Sequence, residues 1–187
     1  MDFSAFASGA ASHWDIWLVS AVLIVAAVID GWVLKVPNWI TFPFIIAGWM
    51  YSLAFQGWEG LGWSLAGTAI GLGLLLPAYA IGGMGAGDVK LLAGVGAWVY
   101  GTHTFYAFCW SAIIGAILAV GMVLVRKAWT KHANQFWMIF NEIVTIKNPE
   151  MLAGIAAKRK PSMLLLPYGI PICIGTILYF AWMGLFV

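Results

Sequence analysis

Residues 89–125 read VKLLAGVGAWVYGTHTFYAFCWSAIIGAILAVGMVLV, and Lys90 is the one Asp, Glu, Lys or Arg among them. A bilayer core of ~30 Å takes about 20 apolar residues as a helix. This stretch is too long for one crossing and fits two, with Gly101-Thr102-His103-Thr104 as the natural turn between them. Working outward, a first span is predicted from about Ile16 to Lys35, a second from Trp39 to Phe55 and a third from Leu61 to Ile81. The sixth and last runs from about Pro167 to Val187.

The composition agrees with six spans. The 187 residues are 63% hydrophobic and 9% charged, against about 25% charged in an average soluble domain. An all-α, polytopic membrane bundle is expected, a single domain over residues 1–187 with no room for a separate soluble unit. A β-barrel would need alternating segments of roughly ten residues, and the apolar runs here are continuous. The net charge of +2 gives no reason to expect a nucleic-acid partner. Cys109 and Cys173 both lie in apolar runs without a CxxC pair, so they read as small buried hydrophobes and indicate neither a zinc site nor a disulfide framework. Asp2, His13 and Asp15 precede the first apolar run where a secretory signal would be basic, so that run is expected to remain as an anchor.

The basic residues fix an orientation. Lys35 lies between spans one and two, and Lys90 between three and four. Arg126, Lys127, Lys131, Lys147, Lys158, Arg159 and Lys160 lie between five and six. The other loops hold Gln56 and Glu59, or His103. Alternate loops are thus basic, which places them in the cytoplasm and both chain ends outside. Within the long loop from about Lys127 to Pro161, Phe136, Ile139, Phe140, Ile143 and Val144 recur at helical spacing. They predict an amphipathic helix on the cytoplasmic interface, either a plain surface anchor or a surface that guides substrate. The run Ala156-Ala157-Lys158-Arg159-Lys160 suits anionic headgroups, so membrane lipids are expected partners. The tryptophans near span ends (Trp14, Trp17, Trp39, Trp58, Trp63, Trp98, Trp129 and Trp182) read as interfacial belts.

Two acids stand out against this background. Asp30 follows Val25-Ala26-Ala27-Val28-Ile29 inside span one, and Asp88 opens span four after the glycine-rich run from Gly82 to Gly87. Acids within or beside a bilayer are costly and point to function, and the topology sets both at the same cytoplasmic depth. The run from Gly82 to Asp88 is a poor helix by propensity and could admit an extended peptide. Structural readings stand beside these: Asp88 as a helix N-cap, and Asp30 in an ion pair with Lys35 or Lys90. Two carboxylates sharing a low-dielectric site cannot both ionise easily. The ionised member can take a proton from water while the protonated one polarises a peptide carbonyl, with no metal and no cofactor. His13, His103 and His132 are scattered and no HExxH occurs, so a zinc protease lacks ligands. A phosphate loop lacks its GxxxxGK[ST] spacing. The serines Ser20, Ser52, Ser64 and Ser111 show no Lys or His partner at matching depth. A small proton-coupled transporter is the rival class, and it predicts acids spread through the membrane depth and an inverted repeat.

Gly85-Ala86-Gly87-Asp88-Val89-Lys90-Leu91 resembles the GxGD motif of intramembrane aspartyl proteases, in the form found in type IV prepilin peptidases. Asp30, followed by Pro37-Asn38, is similar to that family's first catalytic motif, with Val36 in place of its Ile. Pro167-Tyr168-Gly169-Ile170-Pro171 looks like its late Pro/aromatic/Gly element. Presenilin and signal peptide peptidase also carry GxGD, but a Tyr precedes their first aspartate, where Ile29 stands here. The resemblance implies that Asp30 and Asp88 are the catalytic dyad. It also implies that Gly85, Gly87, Lys90, Pro37, Asn38, Tyr168 and Gly169 shape the site or position substrate, Lys90 toward an acidic residue of the substrate. It implies a prepilin or pseudopilin partner in the inner membrane, cut at the cytoplasmic face after a short basic leader and before a hydrophobic helix. Longer members carry a four-cysteine cytoplasmic domain between their first spans, where this chain has only Lys35 to Asn38. It therefore resembles the short forms that process Flp/Tad-type pilins, and N-methyltransferase activity is not expected.

Overall fold

The computed structural model describes residues 13–80, 83–125 and 167–186. Four helices order them: α1, Trp14–Val33; α2, Asn38–Ala80; α3, Ala86–Val125; and α4, Gly169–Trp182. Among the described residues there is no strand. α1, α2 and α3 are long and apolar enough to cross a membrane, and α4 is a shorter apolar helix. The described residues are thus all-helical, and their long apolar helices mark a membrane protein. The amphipathic helix expected within 127–161, the basic run after it and Trp129 lie outside the described residues.

α2 is not one straight rod. Gly57 takes φ 67° and ψ −155° inside it, a left-handed conformation that costs glycine little. The chain folds back there: Trp49 Nε1 in the first arm donates to Thr68 Oγ1 in the second at 3.0 Å. The break expected between spans two and three is therefore present, but it is one residue, not a loop from Gln56 to Gly60. α3 also breaks once, at Tyr100 (φ 61°, ψ −178°), and the predicted turn residues Gly101–Thr104 are themselves helical. The positive φ falls on a tyrosine although a glycine follows it. Gly101 lies against the tip of Ile70, whose Cδ1 is 2.5 Å from where a Cβ at Gly101 would stand. Such a φ on a bulky residue persists where neighbours hold it. Here the Tyr100 hydroxyl meets Ser52 Oγ at 3.5 Å, and its carbonyl accepts from Thr104 Oγ1.

Small residues let the second arm of α2 lie on the first arm of α3. Gly67 faces the backbone of Gly96 and Tyr100, and Gly71 faces that of Leu92 and Ala93. Ser64 Oγ donates to the Ala97 carbonyl in the same seam. In hydrocarbon, where lipid competes equally for apolar surface, such close approach is what holds helices together. α4 packs on the second arm of α3, where Gly175 meets Ser111, and on α1. Leu91, Leu92, Val95, Leu23 and Phe180 are among the fully buried side chains. Trp98 corrects the belt reading: it is buried, its Nε1 donates to the Phe44 carbonyl at 2.9 Å, and its ring stacks on Tyr51. Trp39, Trp58, Trp63 and Trp182 are exposed, as interfacial residues are.

Candidate active site

Asp30 sits in the last turn of α1. Its backbone carbonyl accepts from the N–H of Leu34, which closes the helix in a left-handed conformation (φ 54°). Its carboxylate turns inward, and the residue is 2% exposed. Burial of that kind demands a hydrogen-bonding partner, and α4 supplies one. The backbone N–H of Gly169 donates to Asp30 Oδ2 at 2.8 Å. Gly169 owes its identity to that approach, because a Cβ there would lie 2.9 Å from the same oxygen. Its neighbour Tyr168 packs edgewise on Gly115 and lies close enough to Asp88 to feel its charge.

Asp88 is the third residue of α3 and is 5% exposed. Its Oδ2 accepts from the backbone N–H of Gly85, just before the helix, at 3.1 Å. That is the backward half of a capping box. Asp88 is therefore a capping side chain, but from the first turn and not from the N-cap position itself. The glycine-rich run is also more regular than its composition predicts. Ala86, Gly87 and Asp88 are helical, while Gly83 and Met84 bend after α2. Gly87 is accommodated because the link between α1 and α2 lies against it. A Cβ there would meet the Val36 carbonyl at 2.5 Å and Val36 Cβ at 2.9 Å. Gly82 lies outside the described residues.

Both acids line one cavity of about 470 Å³, together with Val36, Asn38, Gly85, Gly87 and Lys90. Lys90 Nζ donates to Asn38 Oδ1 at 3.0 Å and sits 4.6 Å from the centre of the Phe42 ring, within cation–π range. The ion pair of Lys90 with Asp30 entertained from sequence is thus replaced by an amide and a ring. Pro37 begins α2 by offering its carbonyl to the N–H groups of Ile40 and Thr41, which sets Asn38 at the cavity wall. Asp30, Asn38, Gly85, Gly87, Asp88 and Lys90 thus come together, with Gly169 bonded to Asp30 and Pro37 and Tyr168 on the flanks. Three participants carry no sequence signal that would have found them: Tyr79 in the wall, Phe42 under the lysine and Gly115 behind Tyr168. His103 belongs elsewhere, its Nδ1 being 2.7 Å from the Tyr179 hydroxyl. Among the described residues no group of His, Cys, Asp and Glu could hold a metal ion. Two buried carboxylates on one cavity roomy enough for a peptide segment and water, each with a backbone donor and with a lysine alongside, can activate water and receive a peptide carbonyl.

Comparison with known proteins bears on the same region. Residues 17–120 match the type IV leader peptidase family. A prepilin leader peptidase/N-methyltransferase of Aeromonas salmonicida (strain A449) is 31% identical over 116 residues, covering 58% of this chain and 40% of that protein. One of the same description from Aeromonas hydrophila is 30% identical over 116 residues, with the same coverage. The match thus spans about two fifths of the length of these curated relatives. No solved structure matches.

Proposed function

The chain belongs to the type IV leader peptidase family, and on that premise we propose that it is an intramembrane aspartic endopeptidase. Its substrates are the leader peptides of type IV prepilins or pseudopilins of the Flp kind, cut at the cytoplasmic face of the inner membrane. The observation that carries this reading is the shared cavity: Asp30 and Asp88, 58 residues apart in sequence, line it together. The two breaks at Gly57 and Tyr100 support six spans, with the basic loops inside and both ends outside.

The dyad holds one proton between its two acids. The ionised carboxylate removes a proton from water as the water oxygen attacks the scissile carbonyl carbon, and the protonated one donates to the carbonyl oxygen. The tetrahedral intermediate collapses when a proton passes to the amide nitrogen and the C–N bond breaks, freeing a new carboxylate and a new amine. The N–H groups of Gly169 and Gly85 hold the two carboxylates in place through the cycle. Lys90, already turned toward Asn38, supplies a cation for an acidic residue of the substrate. The link from Leu34 to Pro37 leaves no room for the cysteine domain of the longer forms, so peptidase activity alone is assigned.

The test is cleavage of a co-expressed prepilin by membranes carrying Asp30→Asn or Asp88→Asn. Each variant is expected to accumulate unprocessed prepilin. Full processing by either one defeats the dyad.

A further inference from the structure

α1 and the first arm of α2 are neighbours in sequence but barely touch along their length. They meet at the outer end, where Trp14 stands edge-on to Tyr51 with ring centres 5.2 Å apart, and through the short link from Leu34 to Pro37. Between those points they splay around an apolar groove of about 750 Å³. Val25 and Ala21 form one wall; Trp39, Pro43, Ala47 and Ala54 form the other. From Trp39 to Ala54 a helix rises about 22 Å, most of the depth of a ~30 Å bilayer core.

We propose that this groove holds the apolar helix of the substrate while its leader lies in the acid cavity. This rests on the leader-peptidase reading, because it assumes a scissile bond joined to a membrane helix. Three observations favour a peptide helix over a lipid chain. First, the groove begins where the cavity ends: Val36 and Asn38 line the cavity, and Trp39 opens the groove. The two spaces thus meet at the start of α2, on the way from the acids to the membrane. Second, Ala21, Ala47 and Ala54 are small, which lets a helix backbone approach closely. Third, Pro43 lies inside α2 and has no N–H, so the Trp39 carbonyl lacks its usual helical donor. That carbonyl lies at the junction of cavity and groove, where the cleaved segment must pass from extended to helical and has unpaired N–H groups to offer. An acyl chain has none.

The experiment is thiol crosslinking in membranes between the full chain and a prepilin carrying one cysteine in its apolar helix. Met50→Cys and Val25→Cys present thiols from the two groove walls, and Ile117→Cys presents one from an exposed face of α3. Each is placed in the Asp88→Asn chain, and the Asp88→Asn chain without an added thiol supplies the baseline from Cys109 and Cys173. A seated helix raises the local thiol concentration, so both groove positions are expected to crosslink about tenfold above Ile117→Cys. The yield should repeat with helical period along the substrate. Equal yields at all three positions, meaning lipid-facing collision only, overturn the proposal. So does absence of crosslinks at both groove positions when all three variants insert to equal levels. Processing by the unaltered chain is scored in parallel. Its failure counts against the peptidase reading, whereas crosslinking reads the groove alone.

Discussion

The backbone N–H of Gly169 and the side-chain oxygen Oδ2 of Asp30 lie 2.8 Å apart, joining the start of the last helix to the end of the first. The bond spans 139 positions of sequence, yet it involves the one residue type that can come so near. It ties the carboxylate to a backbone group rather than to a cation, so Asp30 is oriented without a permanent positive neighbour. Tyr168, one residue away, extends the same segment toward Asp88. The late Pro-Tyr-Gly element thus holds Asp30 and stands near Asp88.

Gly169→Ala is therefore expected to abolish or nearly abolish prepilin processing. Its Cβ would sit 2.9 Å from Oδ2 of Asp30, closer than real contacts allow, and a tight 3.1 Å from its Cβ and 3.2 Å from its Cγ. Relief requires Asp30 or α4 to move. Overpacking of this kind costs about 1–3 kcal/mol, and thermal unfolding in detergent should register it alongside the lost activity. Wild-type processing by Gly169→Ala would mean that the bond to Asp30 plays no part in the site.

The glycines of the GxGD motif should separate from glycines elsewhere. Gly87→Ala drives a Cβ into the Val36 carbonyl, a backbone atom that cannot yield cheaply, whereas at Gly85 the nearest atom is Asp88 Oδ2 at 3.2 Å. Gly73 is helical with nothing within 4 Å of such a Cβ. The expected order of damage to processing is Gly87→Ala, then Gly85→Ala, with Gly73→Ala harmless and stabilising by up to about 1 kcal/mol through helix propensity. Parallel processing assays and melting curves of the three variants check that order.

The acids, Gly85, Gly87, Lys90, Pro37-Asn38 and Tyr168-Gly169 could be read from sequence because each is a local oddity: a charge in hydrocarbon, or a glycine or proline at a span end. Their convergence could not. It depends on Gly67 and Gly96 seating α2 against α3 and on Gly87 fitting under Val36, contacts between residues that look ordinary in an apolar chain. The lengths of the apolar runs placed the ends of the described helices to within a few residues. The first break narrowed to Gly57, inside the expected loop, whereas the second fell on Tyr100, one residue before the expected turn, where Ser52 and Thr104 hold it. Trp98 is buried and not interfacial because its indole reaches across to the Phe44 carbonyl and stacks on Tyr51, contacts that span-end position and aromatic character do not reveal.

That bond makes its own prediction. Trp98→Phe keeps the ring in the core but leaves the Phe44 carbonyl without the indole donor. The Phe44 carbonyl keeps its own helical donor, so loss of this one buried hydrogen bond costs about 1 kcal/mol. The melting temperature in detergent should fall, while kcat per folded molecule stays near wild type, because Trp98 lines the apolar groove and not the acid cavity. A fall in specific activity with unchanged melting would place Trp98 in the site instead.

Lys90 offers the sharpest division between structure and recognition. Its bond to Asn38 is exposed, so losing it costs stability little, about 1 kcal/mol or less. Its charge, however, lies on the cavity that receives the substrate. Lys90→Met retains the aliphatic stem over Phe42 and removes only the cation. With a prepilin bearing an acidic residue just after the cleavage site, KM is expected to rise about tenfold, the effect of one lost charge-assisted contact, with kcat little changed. With the same prepilin carrying the neutral amide at that residue, the wild-type and Lys90→Met chains should have similar KM values, since the cation then has no anion to meet. A tenfold rise that persists with the neutral substrate would assign Lys90 to holding Asn38 and the cavity wall rather than to reading the substrate's charge.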